Sequence, residues 1–336
     1  RPRTWLFLLD FQGFCEYIPV VRSTQRAVPR AQVSTAEMRS AFGPELEFDK
    51  PMAPLTSFRT GGTAAWFLPV RSAEAAAGAV QQARRMGLEF FLLGGGSNLL
   101  VADRGYGGLI IKMDVRGLAR VDEATIECGA GEDLTALVTY AQENGLAGLE
   151  FAAGIWGTVG GAIYGNAGAY GGEIGEVVTA VTLVDREGKV MTVDRAYCGF
   201  GYRDSALKRS HEIVVSARFR LQPGDPAEIG RRVREILASR AQKHPDRLTA
   251  GCFFKNIPDP REPYGKLPAG RLLEEAGAKG LAVGGARVFE RHANIIVNAG
   301  GATAADIAAL AALMKEKVRE RFGIELQEEV IRLGEF

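Results

Sequence analysis

The sequence predicts an α+β protein, with an α/β unit of roughly a hundred residues, a glycine-rich middle and a second α/β unit beyond Pro245. Three observations carry this. From Ala64 onward, strand-like and helix-like apolar periods alternate. The stretch "QPGDP", Gln222–Pro226, interrupts both periods and marks a boundary. Finally, 42 of 336 residues are glycine, clustered at Gly94–Gly96, Gly154–Gly172 and Gly280–Gly285, nearly twice the usual ~7%. Clustered glycine means backbone held close to something else, or backbone at positive φ. It is the first pointer to a large bound ligand.

Residues 1–36 show neither period and read as a loosely held extension. Their apolar run, Trp5–Leu9, is too short for a membrane span or a signal-peptide core, and a soluble protein is expected. "AAWFLPV" reads as a strand, and "SAEAAAGAVQQARRMG" as a helix capped by Ser72 and stopped at Gly87. "LEFFLLG" and "GGLIIKM" are further strands around "GGSNLLV". In "EDLTALVTYAQENG", Leu134, Leu137, Val138 and Ala141 recur at helical spacing. "AVTLVD" and "KVMTVD" form a hairpin across "REG", and "EIVVSARFRL" is a strand.

"PAEIGRRVREILASRAQK" follows the boundary as a basic amphipathic helix whose charges read most simply as a solvated face. Then come the helix "AGRLLEEAGAKG", the buried strand "ANIIVN" and a long helix from Ala304. That helix has a capping box at Thr303 and Asp306 and ends at Gly323.

A net charge of +1 gives no electrostatic case for nucleic acid or an acidic membrane surface. Cys15, Cys128, Cys198 and Cys252 are far apart, with no CxxC and no histidine cluster. Zinc or any other metal site and a disulfide framework are therefore not expected, and a reducing cytoplasm is.

"LLGGGSNLL" follows a strand, so Gly94, Gly95, Gly96, Ser97 and Asn98 form either a tight turn or a cradle for an anion. It is neither the dinucleotide fingerprint nor a Walker loop. "GIWGTVGGAIYGNAGAYGGEIGE", Gly154–Glu176, cannot build a core from its side chains, but it can wrap backbone donors around a pyrophosphate and a flat ring. Its candidate contacts are Thr158, Gly161, Ala162, Asn166, Gly168 and Tyr170. In "TAGCFFKN", Cys252 is either a small buried hydrophobe or a placed proton donor.

These stretches, in this order, resemble the UDP-N-acetylenolpyruvoylglucosamine reductases. The resemblance begins at "PMAPLTSFRTGGTAAWFL" and runs through both glycine stretches, "GYRDSALK", "AGCFFKN", "AGRLLEEAGAKG" and "HANIIVN" to "LQEEVIRLG". It implies a two-part FAD-binding domain of the vanillyl-alcohol-oxidase/PCMH type over residues 37–222, built of two α/β subunits. A C-terminal α/β substrate-binding domain would cover residues 223–336. The cofactors implied are FAD and NADPH, with UDP-N-acetylglucosamine enolpyruvate as the small-molecule partner. The chain resembles the shorter subclass, which lacks an inserted tyrosine-bearing loop.

The resemblance also implies roles. Arg203 would grip the substrate carboxylate, Glu329 would polarise the enol system, and the residue at Cys252 would donate the proton. Tyr202, Lys255 and Asn256 would touch substrate, the last two at its diphosphate or sugar. Without the resemblance, Arg203 reads more simply as a loop salt bridge to Asp204, and Lys255 could equally be a solvated charge. Cys252 stands where the family usually has serine, and a low-pKa thiol there would be sensitive to oxidants. Trp156 stands where proline is commoner. A flavin oxidase of the same superfamily is disfavoured, because such enzymes often tether flavin through histidine or cysteine. No histidine precedes His211, and no cysteine lies in Leu92–Asp103. A binding protein without turnover remains the third reading.

Overall fold

The structure, a computed structural model, describes residues 33–246, 248–262 and 265–336. Nearly all of the extension expected over residues 1–36 lies outside them. Its last residues differ from that expectation: Ser34 caps the helix Thr35–Phe42 through a capping box with Glu37.

The first sheet runs in the order Glu47–Pro51, Thr63–Val70, Tyr106–Met113, Phe90–Leu93. Its last three strands are parallel, and the first pairs antiparallel with the second. Parallel strands are covered on both faces, which is why "AAWFLPV" and "GGLIIKM" read as near-continuous apolar runs. The helix Ala73–Arg85 is capped by Ser72, whose hydroxyl accepts from the Ala75 N–H. It buries Ala76, Ala79, Val80 and Ala83, small side chains that permit close packing. On its other side, Gln81 Nε2 donates to the Gly188 carbonyl at 3.1 Å, at the tip of the hairpin foreseen across "REG".

That hairpin opens a five-stranded antiparallel sheet: Val190–Asp194, Val178–Val184, Ile213–Arg220, Thr125–Gly129, Leu118–Arg120. One core joins the two sheets and the helix between them, through Leu68, Val80, Ile111, Ile126, Leu137, Val181 and Phe219.

Two elements depart from the sequence reading. The helix Pro226–Lys243 was expected beyond a boundary, yet Ile229 is buried and Val233 and Ile236 pack on this first core. "QPGDP" is a strand-to-helix turn, with Asp225 as N-cap and Pro226 in the first helical turn. The glycine-rich stretch also contains a short helix, Val159–Tyr164, capped by Thr158. Glycine's poor helix propensity hides it from the sequence. Tertiary bonds start it, from Val159 N–H to Glu132 O and from Gly160 N–H to Ala130 O, both 2.9 Å.

A second core gathers Phe253, Phe254, Leu273, Ile296, Ile307, Leu310 and Met314. It is built on a three-stranded sheet, the helix Ala269–Glu275 and the helix Ala304–Phe322. The Thr303–Asp306 capping box and the left-handed Gly323 stop are both present. Asp103 fastens this part to the first: its carboxylate accepts from the Ala304 and Ala305 N–H groups at 2.8 and 2.9 Å. The strand Ile331–Leu333 then pairs in parallel with Leu99–Val101. The end of the chain is thereby laid beside the GGGSN loop.

Candidate active site

A cavity of about 2240 Å³ opens where these parts meet. Pockets for one drug-sized ligand run to roughly 300–1,000 Å³, so this one has room for more than one. Its walls include both glycine stretches, the turn at Arg203, the end of the Pro226–Lys243 helix, the segment around Cys252 and the chain from Leu326 to Arg332.

Gly94, Gly95, Gly96, Ser97 and Asn98 all line it. Gly96 sits at φ +63°, and a Cβ there would fall 2.0 Å from the Leu55 carbonyl oxygen. The Gly96 carbonyl accepts from the Ser57 N–H at 3.0 Å, and the Ser97 carbonyl from the Ser57 hydroxyl at 3.3 Å. In a trans peptide, C=O and the following N–H are opposed. The N–H groups of Ser97 and Asn98 therefore point away from Ser57, which is outside the lining. Gly94 is needed for close approach, since a Cβ would stand 2.6 Å from Thr158 Oγ1 in the second stretch. Ser97 Oγ completes the joint by donating to the Trp156 carbonyl at 2.9 Å.

Thr158, Gly161, Ala162, Gly168 and Tyr170 line the same cavity, with the side chains of Trp156 and Tyr170 well exposed at 42% and 53%. Asn166 does not reach it. That residue is fully buried at φ +43°, donates from Nδ2 to Gly201 O at 2.8 Å and accepts at Oδ1 from Gly175 N–H at 2.9 Å. It ties the glycine stretch to the turn that carries Arg203.

Arg203, Cys252 and Glu329 come together on one side of the cavity. Arg203 and Glu329 are ion-paired, Nε to Oε1, at 3.1 Å, and Arg203 Nη2 also donates to Gly168 O at 2.6 Å. Asp204, the alternative partner for Arg203, is paired with Arg209 at 2.7 Å. Glu329 is fixed through its backbone: its N–H donates to Phe253 O at 2.8 Å, and its carbonyl accepts from Asn98 Nδ2 at 2.9 Å. The bond to Phe253 sets Glu329 beside Cys252. Burial raises the Glu329 carboxyl above the usual carboxylate range, against the pull of Arg203, Lys208 and Lys255.

Cys252 is half-buried and free. Burial, and then the Glu329 charge, push its thiol up to about 12, with Arg203 and Arg240 pulling the other way. This is the opposite of the low-pKa environment in which oxidant sensitivity was a concern. The thiol holds its proton at neutral pH.

Lys255 lines the cavity, its N–H held by Gln327 O at 2.9 Å. Tyr202 and Asn256 are outside the lining. The Tyr202 ring lies between the Arg203 guanidinium carbon at 5.3 Å and Lys266 Nζ at 3.5 Å. Asn256 Oδ1 accepts from the Ala269 N–H at 3.1 Å, at the start of the Ala269–Glu275 helix. Tyr202 nonetheless lies within electrostatic reach of Arg203, Glu329 and Cys252, and its phenol is hydrogen-bonded to the Asn256 backbone.

Two cavity cations had no place in the sequence reading. Arg240 was counted on a solvated face but lines the cavity, half-buried. The spacing Ile229, Val233, Ile236, Arg240 continues one helical stripe, and that was the available signal. Lys208 also lines the cavity. Arg203, Lys208 and Lys255 all act on the Glu329 carboxyl, and Lys208 also feels Asp204. Among the described residues, no group of His, Cys, Asp and Glu is placed to hold a metal, and no helix is long and apolar enough to cross a membrane.

Fold and cavity together define a flavoprotein oxidoreductase: residues 64–194 match the family model of an FAD binding domain. The glycine joint at Gly94 and Thr158, closed to any side chain, with the outward N–H groups of Ser97 and Asn98, fits a pyrophosphate-bearing cofactor. Residues 243–333 match the model of the UDP-N-acetylenolpyruvoylglucosamine reductase C-terminal domain.

Reductases of that name from Heliobacterium modesticaldum and Solibacter usitatus are each 42% identical to this chain. The matches span 85% and 84% of it, and 90% and 95% of the relatives. A crystal structure of the reductase from Thermus caldophilus superposes with a TM-score of 0.70 at 34% identity, over 86% of this chain and 98% of that one. The chain belongs to the UDP-N-acetylenolpyruvoylglucosamine reductase family.

Proposed function

We propose that this chain reduces the enol ether of UDP-N-acetylglucosamine enolpyruvate to UDP-N-acetylmuramate in the cytoplasm, a step in making peptidoglycan precursors, with NADPH as reductant. Bound FAD would supply the redox chemistry, passing a hydride from NADPH to the vinyl carbon through N5. Gly94–Asn98, Thr158, Gly161, Ala162, Gly168 and Tyr170 would hold it. Asn166 would act only by bracing that wall.

Hydride addition leaves negative charge on the substrate carboxylate, as an enediolate-like species. The residues on the opposing side must stabilise that charge and deliver one proton. Arg203 offers a forked, charge-assisted grip on the carboxylate. Glu329, held above the usual carboxylate range by burial, can donate a hydrogen bond to the same oxygens when protonated. Cys252 gives its proton to the carbon beside the carboxylate. A thiol near 12 is still far more acidic than that carbon acid, and it recovers its proton readily afterwards. Lys255 and Arg240 fit the anionic diphosphate.

The observation that carries this reading is the convergence of Arg203, Cys252 and Glu329 on the cavity that the glycine stretches also line. The test is direct. Purified protein should be yellow and release FAD on denaturation, and with NADPH and UDP-N-acetylglucosamine enolpyruvate it should yield the lactyl ether. A colourless protein that FAD cannot reconstitute, or a flavoprotein that leaves the enol ether intact, overturns it.

A further inference from the structure

Arg203 occupies a conformation that an arginine does not choose. Its φ is +52°, in a two-residue turn closed by Gly201 N–H to Asp204 O at 3.0 Å and by Asp204 N–H to Gly201 O at 3.1 Å. Left-handed backbone is disfavoured for any residue with a Cβ, so the turn must be held from outside. One restraint is the Asn166 bond to Gly201 O described above. Another is Lys208, on the short helix Leu207–Ser210, whose Nζ donates to the Arg203 carbonyl at 2.5 Å.

We propose that Lys208 is a positioning residue for the reduction: its ammonium clamps the Arg203 carbonyl and thereby aims the Arg203 guanidinium across Gly168 O and Glu329 into the cavity. The inference rests on the reductase reading, and it concerns a residue that does not itself need to touch substrate. Lysine suits the task because a protonated ammonium makes a strong bond to a carbonyl oxygen, whereas a neutral amine makes a weak one. The groups around Lys208 are Lys255 and Arg203, which repel its charge, and Asp204 and Glu329, which attract it. Burial first, then Lys255, lowers its pKa below that of an ordinary lysine. The clamp therefore loosens as pH rises, earlier than a surface lysine would.

The test separates the two half-reactions by stopped-flow absorbance of the flavin. Lys208→Met keeps the stem and deletes the charge. It should reduce with NADPH within about two-fold of wild type but be reoxidised by the enolpyruvate substrate roughly 10–100-fold more slowly. Lys208→Arg should recover most of that rate, and its alkaline loss of reoxidation should move to higher pH, because guanidinium does not deprotonate. A merely structural role would slow both half-reactions alike and leave the pH limb in place, and that result overturns the inference. So does Lys208→Met reoxidation within two-fold of wild type. If wild-type reduced enzyme is not reoxidised by the enolpyruvate at all, the reductase reading fails instead.

Discussion

The Arg203 guanidinium and the Glu329 carboxylate meet at 3.1 Å, each only about a quarter exposed, on the cavity that both glycine stretches line. A pair this poorly solvated leaves either partner costly to remove, because the survivor keeps its charge without compensation. Under the proposed function, a substrate carboxylate would have to compete with Glu329 for the guanidinium. The first prediction concerns Arg203→Lys, which keeps charge but loses the fork. Flavin reoxidation by the enolpyruvate should slow by roughly 10²-fold, with flavin reduction nearly unchanged. Rapid-mixing traces of both steps check this, and the reverse order would move Arg203 to the NADPH step.

Burial makes Cys252 a reluctant nucleophile. At pH 8 a thiol near 12 is only about 10⁻⁴ ionised, against tens of per cent for a free thiol near ~8.5. Iodoacetamide should label Cys252 in the folded protein at least roughly 100-fold more slowly than in the unfolded chain. Peptide mass spectrometry over time measures it, and comparable rates would show the thiol to be exposed and acidic.

Two glycines on the same cavity should respond differently to alanine. At Gly96 the new methyl would strike the Leu55 carbonyl at 2.0 Å with φ at +63°, so the fold itself should suffer. At Gly161 the nearest atom to a Cβ is Thr158 Oγ1 at 3.6 Å, an ordinary contact. Gly161→Ala should keep the apoprotein's melting temperature within a few degrees while weakening FAD binding by roughly ten-fold or more. Thermal melts and FAD titration of apoprotein decide it; unchanged FAD affinity would take Gly161 off the cofactor.

His244 lines the cavity with its ring 5.5 Å from that of His292. Burial first, then Arg240, His292 and Lys243, hold it down at about 4, and His292 is also lowered, chiefly by burial. The folded state thus binds these protons less readily than the unfolded chain, so stability should be lost as pH falls from about 6.5 toward 4. Melting curves across that range should show the fall, and His244→Asn should flatten part of it. A variant with the wild-type pH profile would rule His244 out as a contributor.

Much of the scaffold was legible because local chemistry and tertiary role agree. Ser72 caps its helix, Thr303 and Asp306 box theirs, and the "REG" hairpin pairs Ala180 with Asp194 through Val184 with Val190. The failures share a cause: the deciding contacts are long-range. The Val159–Tyr164 helix depends on Glu132 and Ala130, which no glycine count reveals. Asn98, read as a flavin contact, also supports Glu329 from across the chain. Motif position placed Arg203, Cys252 and Glu329 together. It did not show that the Arg203 turn needs Lys208, nor that burial would make the Cys252 sulfur a weak acid.

The claim at the centre is that Cys252 delivers the proton. The most direct measurement is single-turnover reoxidation of NADPH-reduced enzyme by UDP-N-acetylglucosamine enolpyruvate in Cys252→Ser and Cys252→Ala. Both variants should bleach normally with NADPH. The serine variant should then recover its flavin colour within about ten-fold of the wild-type rate, and the alanine variant about 10²–10⁴-fold more slowly. Equal reoxidation rates in the two variants would contradict the account and take Cys252 out of the chemistry.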